Sequence, residues 1–216
     1  MGPSPWVVER LGPSLAGELW TKIPEALGTA ISRAINARPV ASTATDRLLA
    51  NPRWPLPYEE LAVYLGSLAG ATVVSLTRCV YRIVVVRGHI VVPWCYGQTG
   101  VVSMSDARPG RSFGRLARDL LHRLGPARPP TWSDVPLLRD EIDEREVAQI
   151  GAAVGRVEPA PKVLIAGYAG TSDHGLLRAC LGAPALDERG ALVWRHVDDL
   201  PLPPPVIPRP RRLRFP

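Results

Sequence analysis

The chain has 216 residues, of which 46% are hydrophobic and 21% are charged; these proportions exclude a disordered chain and allow a substantial core in one large domain or two small ones. Its net charge is +6, and its three cysteines include no pair at Cys-x-x-Cys spacing, which argues against a disulfide scaffold or a structural zinc site. No apolar run reaches the ~18–20 residues of a membrane helix and the start lacks signal-peptide features, so we expect a cytoplasmic protein without a cofactor.

Helices are predicted for the N-terminal part of the chain. Over residues 14–35, leucines and isoleucines recur every four residues, which is the spacing of one helix face. Pro24 is expected to kink this helix or to begin a second one. A short helix is predicted after Thr45, and apolar positions at helical spacing predict another over residues 58–69, closed by Gly70.

A β-hairpin is predicted over residues 77–96, where two runs rich in Val, Ile and aromatic residues flank Arg87-Gly88. Glycine tolerates the positive φ that a two-residue turn needs. In that register one face is wholly apolar or aromatic and should lie on the core: Cys79, Tyr81, Ile83, Val85, Ile90, Val92, Trp94 and Tyr96. The other face mixes Arg82 and His89 with valines, so we expect it to be only partly covered.

A strand is predicted over residues 100–104 and a helix over 112–124, with Ser112 as its N-cap. The outer side of this helix places Arg111, Arg115, Arg118 and His122 at helical spacing, and we call these residues the arginine stripe. Guanidinium groups suit phosphate contacts, although a solvated face is the plainer explanation. The predicted anion-binding residues are the arginines of the stripe, its preceding loop and the C-terminal tail: Arg108, Arg111, Arg115, Arg118, Arg211 and Arg212.

The Pro-rich residues 126–136 are predicted to join a first part, residues 1–125, to a smaller α/β piece, residues 137–200, that packs on it. The helix predicted over residues 137–154 is acidic and is expected to be a solvated face or a dock for the arginine stripe. Residues 201–216 are rich in Pro and Arg and should be extended, either contacting a partner or wrapping their own domain.

The most site-like pattern is a strand over residues 162–168, a Gly-rich turn over 170–175 and a helix over 176–181. A turn that leads into a helix N-terminus directs backbone N–H groups at an anion. The chain lacks the phosphate-loop and dinucleotide-binding fingerprints, however, and capping alone explains the residue types in the turn.

Three residues near this pattern are candidate catalytic groups. Asp173 and His174 lie in the turn, and His196 lies in a strand predicted over residues 191–197. Histidine and carboxylate groups suit acid–base chemistry, but neighbours along a chain rarely point the same way. No metal-binding motif is present, so we predict no metal site.

These patterns predict an α+β fold with N-terminal helices, a central and mainly antiparallel sheet built on the 77–96 hairpin, a C-terminal α/β piece and an extended tail. The favoured function is a binding or adaptor protein that contacts nucleic acid or an acidic protein through the arginine stripe and the tail. The alternative is a hydrolase or transferase acting on a phosphate-bearing substrate at residues 170–175. The enrichment in Arg, Ala, Gly and Pro is also what a GC-rich genome produces without selection for function.

Overall fold

The computed structural model describes residues 2–37, 55–76, 81–107, 115–124, 144–155, 163–171, 174–188 and 191–203. Within these ranges the fold is α+β, as predicted. The helices are α1 (Pro5–Leu11), α2 (Pro13–Ala37), α3 (Pro55–Gly66), α4 (Arg115–Leu124) and α5 (Glu144–Val154). The strands are β1 (Ala71–Ser75), β2 (Arg82–Val86), β3 (His89–Gly97), β4 (Val163–Thr171), β5 (Gly175–Leu186) and β6 (Leu192–Leu200).

All six described strands form one sheet whose order follows the chain, from β1 to β6. Neighbouring strands are antiparallel except β3 and β4, which are parallel. Parallel neighbours need a long crossover, and the segment from β3 to β4 that contains α4 and α5 supplies it. The predicted joint at residues 126–136 lies outside the described residues, but the strands before and after it share the sheet.

The predicted hairpin is confirmed with its register. Val86 pairs with His89, and the pairing continues to Val84 and Val91. Arg87 and Gly88 have φ values of 46° and 81°, so both turn residues adopt the left-handed conformation that a tight two-residue turn requires. The predicted core face is buried at Ile83 and Trp94.

Helices cover both faces of the sheet. The first face packs against α1, α2 and α3, and the second face packs against α4 and α5. The expectation that this hairpin face is only partly covered holds at Arg82 and Cys95, but α3 packs on the face and buries His89 together with Val84, Val86 and Val91. Of the two polar residues on that face, Arg82 alone is exposed.

The prediction of a helix over residues 176–181 is also wrong, because this segment is part of β5. Short apolar runs do not distinguish strand from helix by periodicity, and here β5 pairs with β4 as far as Gly182 and with β6 from Ala179 onward. The strand predicted over residues 100–104 is irregular chain instead. Pro24 lies inside α2, which continues through it as one helix.

Other boundaries agree with the sequence patterns. The final strand is confirmed as β6, and α5 ends at a glycine, Gly155, with a φ of 61°. The helix after Thr45, the N-cap Ser112 and the tail from residue 204 onward lie outside the described residues. No described helix combines the length and apolar character needed to span a membrane.

Candidate functional site

The turn at residues 170–175 joins two antiparallel strands, β4 and β5, instead of a strand and a helix. His174 is exposed, its backbone N–H donates to Oγ1 of Thr171 at 3.0 Å, and its Nδ1 lies 3.2 Å from the same oxygen. Asp173 lies outside the described residues. Because β5 starts at Gly175, the turn has no helix N-terminus to direct at an anion.

The structure does not bring His196 to this turn. His196 pairs with Ala183, which lies eight residues beyond Gly175 along β5. At the rise of a β-strand this separation is roughly 26 Å. His174 and His196 therefore do not share one site.

His196 belongs instead to a cluster on the first face, which we call the Asp198 cluster: Ser4, His196 and Asp198. The Ser4 hydroxyl donates to Oδ2 of Asp198 at 2.6 Å. Nε2 of His196 lies 2.9 Å from Oδ1 of Asp198 and 3.2 Å from Oγ of Ser4. Ser4 is also the N-cap of α1, so the cluster fastens this helix to β6.

The residue types of the Asp198 cluster are those of a Ser-His-Asp triad, but the geometry differs. In a triad the two ring nitrogens of histidine serve different partners, and the serine hydroxyl donates to histidine. Here a single nitrogen of His196 faces both partners, and the proton of the Ser4 hydroxyl goes to the carboxylate. Trp6 stacks on His196 with ring centroids 4.5 Å apart, and Arg10 lies over Trp6. This arrangement holds α1 in place and does not activate a nucleophile.

A second polar group lies on the second face, and we call it the Asp199 cluster: Tyr96, Arg178, Cys180 and Asp199. Arg178 forms two hydrogen bonds to the Asp199 carboxylate, of 2.9 and 2.8 Å. The Cys180 thiol donates to Oδ1 of Asp199 at 3.2 Å, and the hydroxyl of Tyr96 lies 3.6 Å from Cys180 Sγ. Because the thiol proton is directed at Asp199, the Tyr96 hydroxyl donates to the sulfur.

The protonation states of the Asp199 cluster follow from burial and from the ion pair. Burial raises the pKa of the Cys180 thiol to about 12, and it raises the pKa of Tyr96 as well. The hydrogen bonds from Arg178 hold the pKa of Asp199 below its usual range. At neutral pH the thiol is therefore protonated and is a hydrogen-bond donor, not a nucleophile.

Beside the Asp199 cluster, the side chain of Met104 packs directly on the backbone of Gly167 and Gly182. A Cβ on either glycine would overlap the Met104 side chain, and one on Gly182 would also lie 2.7 Å from Cζ3 of Trp194. Trp194 stacks on Trp94 with ring centroids 5.7 Å apart. Glycine is needed at both positions because a side chain from another part of the chain fills the space above them.

Of the six predicted anion-binding residues, the structure describes only Arg115 and Arg118. Arg118 is exposed on α4, and Arg115 is the first residue of that helix. Nη1 of Arg123, beside the stripe, lies 2.6 Å from Oε1 of Glu144, so the acidic helix α5 is linked to α4 by an ion pair. The remaining predicted residues lie outside the described ranges: Arg108, Arg111, Arg211 and Arg212.

Sequence reasoning missed the Asp199 cluster and the packing of Met104 on Gly167 and Gly182. Reading residues 176–181 as a strand would have brought Cys180 near the carboxylates of β6, but its pairing with Asp199 depends on the register shift between β5 and β6, which no sequence pattern marks. Within the described ranges, no three His, Cys, Asp or Glu side chains are placed to hold a metal ion.

No family model, curated protein or solved structure gives a significant match to this chain. Its function is therefore argued from its own residues.

Proposed function

We propose that this protein is a binding protein that contacts a polyanionic partner, nucleic acid or an acidic protein surface, through the arginine stripe of α4 and the basic tail. The observation that supports binding over catalysis is how the side chains of the Asp198 cluster and the Asp199 cluster are hydrogen-bonded. The carboxylates of Asp198 and Asp199 are both engaged by neighbouring protein donors, and the Cys180 thiol is held protonated. Neither cluster presents an activated nucleophile.

The orientation of α4 favours the stripe as the contact surface. Its apolar residues Leu116, Ala117 and Leu120 are buried against the second face. Arg115 and Arg118 are three residues apart in this helix, and the side chain of Arg118 is exposed. Guanidinium groups form charge-assisted hydrogen bonds to phosphate or carboxylate oxygens, and the net charge of +6 adds long-range attraction.

The alternative, an enzyme acting on a phosphate-bearing substrate at residues 170–175, has less support. The turn connects two strands, so it offers no helix dipole to a phosphate. Of its proposed catalytic pair, only His174 is described, and its closest described partner is the neutral hydroxyl of Thr171.

The binding proposal is tested with the double variant Arg115→Ala/Arg118→Ala. Binding of a fluorescent single-stranded or duplex oligonucleotide is measured by anisotropy at several salt concentrations, with an acidic polypeptide of equal charge as a second ligand. If both arginines contact phosphates, the slope of log K against log salt should become shallower by about 1.4 to 1.8. A preference for the acidic polypeptide would identify a protein as the partner.

The matched control is Arg82→Ala/Arg195→Ala, which removes the same charge from exposed arginines of β2 and β6. This control should weaken binding less than the α4 variant. Absence of wild-type binding to either ligand at low salt would refute the proposal. Equal losses in the two double variants would show that net charge, and not the stripe, drives the interaction.

A further inference from the structure

The sheet ends in two edge strands, β1 and β6, and only β6 carries features that prevent edge pairing. Its pairing with β5 is interrupted by a register shift next to the exposed Arg195. Asp198 and Asp199 follow near the end of the strand, and Pro201 and Pro203 come after it. Bulges, charges and prolines are the means by which natural sheets avoid adding a further strand.

The opposite edge has none of these features. Strand β1, with the sequence Ala-Thr-Val-Val-Ser, contains no charge and no proline, and it pairs with β2 without interruption from Ala71 to Ser75. Thr72, Val73 and Ser75 are exposed. Among the described residues, no strand pairs with the outer side of β1.

The backbone groups on the outer side of β1 can be assigned from its ladder with β2. The N–H of Leu76 donates to the carbonyl of Tyr81, and the N–H of Arg87 donates to the carbonyl of Gly70. Antiparallel pairs alternate along a ladder, so the even-numbered residues of β1 bond to β2. The N–H and carbonyl groups of Val73 and Ser75 therefore point outward, together with the carbonyl of Ala71, whose N–H donates to the carbonyl of Leu68.

This outward row is complementary to itself. If Val73 pairs with Val73 of a second copy in antiparallel register, Ala71 of each copy lies opposite Ser75 of the other, so the Ser75 N–H can donate to the Ala71 carbonyl of the other copy. Such an arrangement has a two-fold axis through the central residue, which is the symmetry of most homodimers. The two six-stranded sheets would then form one continuous sheet.

An apolar strip lies beside the same edge. Val73 is 40% exposed and lies over α3, where a Cβ on Gly66 would be 3.0 Å from its Cγ2. Val63 is 62% exposed and sits three residues before Gly66, on the same side of that helix. The two-fold pairing brings the Val73 side chains together and covers apolar surface from both copies.

We propose that β1 is a self-association edge through which two copies of this chain pair antiparallel, centred on Val73. The two-fold match of the outward row favours a second copy over another occupant. Two molecules that each carry +6 approach at least cost where neither presents a charge, and β1 has no ionisable side chain. The edge is equally unsuited to the polyanion proposed for α4.

The test is sedimentation of the full chain from about 1 µM to about 1 mM. The wild type should show a concentration-dependent dimer, and Val73→Lys should remain monomeric. Val193→Lys is the matched control because Val193 is 41% exposed on the opposite edge strand, and this variant should dimerise like the wild type. Val73→Pro should also be monomeric with unchanged circular dichroism, since it removes only an outward N–H.

A disulfide cross-linking experiment tests the register in which the two β1 strands pair. Val73→Cys places two thiols next to the two-fold axis, so mild oxidation should give a covalent dimer, whereas Val193→Cys should not. A wild type that stays monomeric throughout, a Val73→Lys variant that still dimerises, or a cross-link at residue 193 but not at 73 would overturn the proposal.

Discussion

The two faces of the sheet reach similar burial by different means. The first face is covered mainly by one long helix, α2, whose buried residues recur at helical spacing, as in Leu15, Leu19 and Ile23. The second face is covered by two short helices and by Met104, which extends from irregular chain onto Gly167 and Gly182. One face is filled by a repeating pattern, and the other depends on the fit of individual side chains.

The same contrast holds for the neighbouring carboxylates of β6. Side chains alternate along a strand, so Asp198 faces α1 on the first face and Asp199 faces Cys180 on the second. Asp198 links two parts of the chain that are far apart in sequence. Asp199 is 61% exposed and pairs with Arg178 on the adjacent strand. Partners on opposite faces thus give adjacent residues different roles.

The largest expected effect on stability comes from substituting a glycine of the second face, compared with a glycine of α2 on the first face. Gly167→Ala adds a methyl group that overlaps Met104 and should lower the free energy of unfolding by about 1–3 kcal/mol in urea titrations. Gly17→Ala on α2 meets no atom within 4 Å and should be neutral or stabilise by up to about 1 kcal/mol. In a Met104→Ala background the cost of Gly167→Ala should shrink; an unchanged cost would show that Met104 is not the obstacle.

The next effect is a pH dependence that arises on the first face. His89 is buried, its Nδ1 lies 3.1 Å from the Arg87 carbonyl, and burial lowers its pKa below 6.5. The contribution of His89 to stability should be complete well above pH 6.5 and be lost as the pH falls through this value, because the unfolded chain takes up a proton that the folded chain does not. Relative to His89→Gln, the wild type should lose about 1 kcal/mol more between pH 7 and about pH 5.5.

On the second face the corresponding groups do not titrate in that range. The pKa of Cys180 is about 12 and that of Asp199 is lowered, so neither contributes to the decline. Identical pH profiles for the wild type and His89→Gln would place the acid sensitivity elsewhere.

A third comparison concerns the two carboxylates of β6 directly. Asp198→Ala leaves the Ser4 hydroxyl and His196 without their acceptor and should cost about 1–2 kcal/mol in thermal or urea unfolding. Asp199→Ala should cost less than about 1 kcal/mol because its ion pair is exposed. The fluorescence of Trp6, stacked on His196, should change in the first variant alone. Equal fluorescence changes in both variants would contradict a local role for Asp198 in holding α1.

The features that sequence patterns predicted correctly depend on neighbours along the chain. The Arg87-Gly88 turn follows from turn chemistry and strand alternation within about twenty residues. Helix α2 follows from a four-residue repeat that continues through Pro24. In both cases the residues that determine the structure are close in sequence.

The features that only the tertiary structure decided depend on distant partners. Residues 176–181 form a strand because β4 pairs with them and β6 pairs with their second half, from Ala179 onward, and no local pattern encodes those neighbours. His89 is buried because α3 packs over its face of the sheet, and Gly167 is required because Met104 lies above it. The sequence alone thus determined the turns and the helix repeats, whereas long-range pairing and packing decided which side chains meet, because a contact between distant segments depends on both surfaces at once.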